Sequence, residues 1–114
     1  MDNNLTDFLE EFQLDRRFAI DEEDLFRTRL QRRIKRLAIV DVEYFWENEE
    51  LLEKAKIECH IEMKAILYHF QDSEEYELCQ VVVDEEPNID KIYDEIYLSK
   101  MDQISNANIN EVFE

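Results

Sequence analysis

Asp41, Glu62 and Lys64 are the residues whose types and spacing come nearest to a catalytic set. Carboxylates on adjacent strands can hold Mg²⁺, which polarises a phosphodiester and activates water, while a lysine beside the second carboxylate steadies the developing charge. On a strand Glu62 and Lys64 share a face, because side chains alternate. The other reactive groups make no such set. Cys59, His60, His69 and Cys79 lack the close-paired spacing of a zinc site, and a cysteine nucleophile would need a histidine brought to it by folding. Asp84, Glu85 and Glu86 run together without the interleaved ligands or the glycine of a calcium loop. No metal and no cofactor is expected.

The order Asp41, gap, Glu62-x-Lys64 resembles that of the PD-(D/E)xK nuclease superfamily, and a helix ahead of the strands suits such a core. The resemblance covers three residues, and Val40 stands where the family places a proline. It implies a Mg-dependent nuclease whose weak catalytic candidates are Asp41, Glu62 and Lys64.

The chemistry depends on the elements that would carry these residues. Leu5, Phe8, Leu9 and Phe12 recur at helical spacing behind a capping Asn4, which predicts a first helix. Asp21 caps a second, with Glu22, Glu23 and Asp24 at its positive end and Phe26, Leu30, Ile34 and Leu37 along one stripe. From Ala38 the pattern changes to alternation, Val40, Val42, Tyr44 and Trp46 against Asp41, Glu43 and Phe45, which predicts a strand; Tyr44, Phe45 and Trp46 could form a binding platform, but aromatics at strand spacing are usually core. Asn48 caps a short helical stretch.

Residues 56–70 admit two readings. As a helix they put Leu52, Ala55, Cys59, Met63 and Ile66 on one side but Ile57, Ile61 and Ala65 on another. As a strand they put Ile57, Cys59, Ile61, Met63, Ala65 and Leu67 on one face and Glu58, His60, Glu62 and Lys64 on the other. The strand separates polar from apolar more cleanly and is the expectation. Residues 76–83 then return as its antiparallel partner, and Ile89, Ile92, Tyr93, Ile96, Met101 and Ile104 make a closing helix. The expected fold is α+β: an antiparallel sheet of about three strands packed with two N-terminal helices and one C-terminal helix. Residues 1–104 form one acidic domain, and 105–114 a mobile C-terminal tail.

Composition narrows the function. The 114 residues contain no glycine, which removes the phosphate-cradling loop and the dinucleotide fingerprint. There is no long apolar run for a membrane, and the first residues lack the basic start and apolar stretch of a signal peptide, so a cytoplasmic home is expected, that of the host if the protein is viral.

Thirty acids against 13 Lys and Arg give a formal charge of −17, which repels nucleic acid and anionic lipid and favours a basic partner. The charge is uneven along the chain. Residues 16–37 hold eight cations against four acids, including Arg27, Arg29, Arg32, Arg33, Lys35 and Arg36; residues 38–114 hold five against 21. This basic helix can pair with the protein's own acids, with another copy, or with nucleic acid, in that order.

The leading expectation is a non-enzymatic interaction protein docking on a basic surface, as a phage-encoded inhibitor, nucleic-acid mimic or immunity-type protein does. Its partner-binding acidic face comprises Asp84, Glu85, Glu86, Asp90, Asp94 and Glu95. The alternative is a subunit that assembles with itself or on a particle through its polarised charge. The nuclease takes third place.

Overall fold

A computed structural model describes the backbone of residues 5–113 and the side chains of residues 5–106. Its regular elements are α1 (Leu5–Asp15), a 3-10 turn (Arg16–Phe18), α2 (Glu22–Tyr44), α3 (Glu49–Asp72), α4 (Tyr76–Glu85) and α5 (Asn88–Phe113), with no strand among the described residues. The fold is all-α, and the expected α+β architecture with its antiparallel sheet is overturned. The first two helices begin where the sequence pattern places them. Asn4, the expected cap of α1, lies outside the described residues, whereas the Asp21 carboxylate does accept the Asp24 N–H at the start of α2.

Each expected strand fails for the same reason: a helical row of apolar residues runs through it. The row Phe26, Leu30, Ile34, Ala38, Val42 repeats every four residues and is fully or almost fully buried throughout, so α2 continues to Tyr44 across the supposed strand at 38–46. Propagating an existing helix gains one hydrogen bond per residue fixed, and a few β-branched residues cost only tenths of a kcal/mol each. In α3 the buried row is Ala55, Cys59, Met63, Ile66 and Phe70, starting from an Asn48 side chain that caps the Leu51 N–H at 3.0 Å. Ile57 and Ile61, which completed the alternation, are at least half exposed. The hairpin between 57–67 and 76–83 is therefore a helix pair. Within α4, Leu78, Val81, Val82 and Glu85 are buried at helical spacing and Val83 faces out.

The turn between α3 and α4 shows how a chain without glycine ends a helix. Glu74 takes the left-handed conformation, with φ of 59°, and around it the Glu75 N–H reaches the Phe70 carbonyl at 2.8 Å and the Glu74 N–H the Gln71 carbonyl at 3.0 Å. This is the Schellman arrangement with glutamate at the position glycine usually takes.

α2 and α5 run side by side in the same direction. Gln31 and Lys35 face Asn88 to Ile92 across one groove, and farther along, the Glu43 carboxylate meets Lys100 Nζ at 2.7 Å. α3 runs against α5, with His60 beside Asp90 and Trp46, just before α3, beside Tyr97. α1 closes one side through three phenylalanines, Phe12, Phe26 and Phe70, whose ring centroids lie 4.9 to 6.0 Å apart. All three are wholly buried, and each such side chain contributes about 1.5–3 kcal/mol.

The longest axis of the molecule is 59 Å against 30 and 26 Å for the others. α5 extends beyond Ile104, where the closing helix was expected to end. Of the segment 105–114, expected as a tail, the side chains from 107 onward and all of Glu114 lie outside the described residues.

Candidate functional site

The three residues of the nuclease-like set sit on helices, Asp41 on α2 and Glu62 and Lys64 on α3. Asp41, in α2, accepts a hydrogen bond from the Tyr93 hydroxyl at 2.6 Å. Burial raises its pKa against the lowering effect of that bond. Glu62, in α3, has both oxygens engaged by Arg33. Lys64 is exposed, and two residues apart on a helix side chains point about 200° apart, so Glu62 and Lys64 leave opposite sides of α3. The sheet that would align Asp41 with them is absent from the described residues. Tyr93 lies against Cys59, and burial, with Glu62 adding to it, pushes the Cys59 thiol up to about 12. A thiol held protonated in this way is a packing group.

The Arg-rich stretch of α2 divides in two. Its inward arginines are tied to acids of other elements: Arg27 to Glu85 at 2.7 Å and Asp84 at 3.4 Å, Arg29 to Asp15, and Arg33 to Glu62. Arg16, in the 3-10 turn, pairs with both Glu22 and Glu75. Arg32 and Arg36 are exposed, Lys35 is exposed along the groove between α2 and α5, and none of the three makes an ion pair among the described residues.

The six expected acidic-face residues divide likewise. Glu85 is 4% exposed and accepts from Arg27, Gln31 and Asn88, and Asp84 takes Arg27 and Gln80. Glu86 and Asp90 bracket His60, at 3.2 Å from Nδ1 and 3.1 Å from Nε2, with Lys56 at 4.0 Å from Asp90. Burial works to lower the His60 pKa, but the hydrogen bonds to Asp90 and Glu86 outweigh it and the net shift is upward. Asp94 and Glu95 remain exposed on α5 without an ion pair among the described residues.

A feature the sequence reading missed lies at the far end of the bundle. Trp46 and Tyr97 pack at a tilt, with ring planes 36° and centroids 4.8 Å apart, and with Glu47, Asn48 and Glu49 they line an open cleft of about 480 Å³. Lys100 Nζ already lies 5.8 Å from the Trp46 ring centroid. Asp94 stands one turn before Tyr97 on the same helix. The sequence pattern predicts Trp46 as a core strand aromatic, with a binding platform as the other reading; because α2 ends at Tyr44, Trp46 instead lies half-buried in the turn beside Tyr97.

No helix of the described residues is long and apolar enough to cross a membrane. The arrangement defines an all-α bundle in which ion pairs join the helices and carboxylates crowd the surface. The chain matches no family model, no curated protein and no solved structure.

Proposed function

We propose that this chain is a non-enzymatic interaction protein that docks on a basic partner, as an inhibitor, nucleic-acid mimic or immunity-type protein would, and that the docking centre is the Trp46–Tyr97 end of the bundle. The observation that carries this reading is the cleft itself, where two aromatics packed against each other share the lining with Glu47 and Glu49. Aromatic faces attract a cation and adjacent carboxylates accept its N–H groups, so the cleft suits an arginine or lysine side chain. The excess of acids then steers the partner in from a distance. Internal pairing supports this division of labour, because the arginines that could compete for the carboxylates are held between helices. With both thiols free and no disulfide, the cytoplasm is the proposed compartment.

Trp46 is the single tryptophan, so its emission reports on this cleft alone. Titration with an oligo-arginine peptide at about 20 mM NaCl should change Trp46 emission, with affinity falling at least about tenfold by about 500 mM. The combined substitution Glu47→Lys, Glu49→Lys, Asp94→Lys should weaken binding by a similar factor. Peptide binding that leaves Trp46 emission unchanged and survives the triple substitution would defeat the proposal.

A further inference from the structure

α1 runs directly into the 3-10 turn at Arg16, and Leu9, Glu10, Leu14 and Arg17 of this stretch line an open groove of about 800 Å³ that His69 of α3 also lines. Leu14 is 56% exposed, and Phe18, next to Arg17, is 86% exposed. Two charges on the groove are left over. Asp15 is held by Arg29, and Arg16 by Glu22 and Glu75, whereas Glu10 and Arg17 are exposed and make no ion pair among the described residues. Residues seven apart lie on one face of a helix about 10 Å from each other, so this stretch presents an acid and a base at a set spacing, with Leu14 between them.

We propose that a second copy of this chain fills the groove, α1 packing antiparallel on α1 about a two-fold axis at the level of Gln13 and Leu14. That register sets Glu10 of each copy opposite Arg17 of the other, Gln13 opposite Leu14, and Phe18 opposite Leu9 in the groove.

Charge complementarity selects this occupant and its direction. In an isologous contact residue i meets j while j meets i, and an acid and a base placed evenly about the Gln13–Leu14 level do so in an antiparallel pair. A parallel copy would instead lay Glu10 on Glu10 and Arg17 on Arg17. The exposed apolar groups, Leu14 and Phe18, fall between and beside the two ion pairs, where the groove has room for them. The charge of −17 on each copy opposes association, but residues 9–18 carry three acids against two arginines, and Asp15 and Arg16 are already paired within the chain. Because each groove is covered by the copy whose groove it covers, assembly stops at two.

This proposal does not depend on the basic-partner reading. The contact is only about 20 Å long, so association is weak, and sedimentation of the full chain at about 0.5 mM should give a dimer. Glu10→Lys alone and Arg17→Glu alone should each weaken it at least about tenfold, since like charges then meet at both ends of the contact. Carrying both changes in one chain should restore the dimer, and so should an equimolar mixture of the two single variants, because acid again faces base. Far-ultraviolet circular dichroism checks that each variant folds. Phe18→Ser, which leaves every charge in place, should also weaken the dimer. A chain that stays monomeric at about 1 mM, a dimer indifferent to these changes, or a doubly reversed chain that remains monomeric would each overturn the inference. Oligo-arginine binding by the Arg17→Glu variant, read through Trp46 emission, separates failure here from failure of the Trp46 cleft.

Discussion

Arg33 and Glu62 meet in a two-point ion pair across the seam of α2 and α3, Nε to Oε2 at 2.6 Å and Nη2 to Oε1 at 2.7 Å. The Arg33 side chain is 7% exposed and its guanidinium lies 5.2 Å from the Phe8 ring centroid, so the pair also joins α1 to the other two helices. Parallel N–H···O⁻ bonds of this kind fix orientation as well as adding energy.

Removing one partner leaves the other charge in poor solvent. Glu62→Ala should cost about 2–4 kcal/mol in urea unfolding. Arg33→Met combined with Glu62→Leu should cost less than Glu62→Ala alone, because apolar groups of similar volume need no compensating charge. A double variant less stable than Glu62→Ala would show that orientation by the pair matters more than relief of the stranded guanidinium.

His60 links α3 to the start of α5, and its raised pKa gives stability a sign with pH. The protonated ring can donate to Glu86 and Asp90 together; the neutral ring can donate to one. The contribution is therefore full below the unfolded histidine pKa and lost as pH rises through the higher folded value. At the acid end Glu75 acts oppositely: burial is outweighed by hydrogen bonds from Arg16 and Ser73, its pKa is lowered, and its contribution fades as pH falls through the folded value. Urea midpoints measured from about pH 6 to pH 8 should decline, and His60→Gln should flatten the decline.

Glu74 carries a left-handed backbone that glycine would adopt without a Cβ penalty. Glu74→Gly should raise stability by about 0.5–1 kcal/mol, while Glu74→Ala, which keeps a Cβ, should gain little. Thermal melting of the two variants separates backbone relief from loss of the charge.

Cys59 is buried against Tyr93, and burial also raises the pKa of the partly buried Cys79. A maleimide reagent near neutral pH should leave Cys59 unmodified in the folded protein and react slowly with Cys79. Both should react together once urea unfolds the chain, and rapid native labelling of Cys59 would contradict its placement.

The sequence alone determined the charge, the start of α1, the capped start of α2 by Asp21, and the helical row of α5. Those features are local: a cap contacts its own next turn, and the rows Phe26–Leu30–Ile34 and Ile89–Tyr93–Ile96 each read at a single period. Residues 56–70 satisfied two periods at once, because Ile57 and Ile61 are apolar yet exposed, and only packing chose between them. That choice lay in which row could meet Phe12, Phe26 and Leu78, residues far away in the chain. The candidate sites followed the same rule. Excess acid was legible from composition, but which carboxylates remain outward depended on Arg27 reaching Glu85 and Arg33 reaching Glu62 across the bundle. Trp46 became a half-buried partner of Tyr97 because α2, once helical to Tyr44, sets the following turn against α5. Local capping and periodicity act within a few residues, whereas burial and ion pairing are decided by neighbours that only the folded chain supplies.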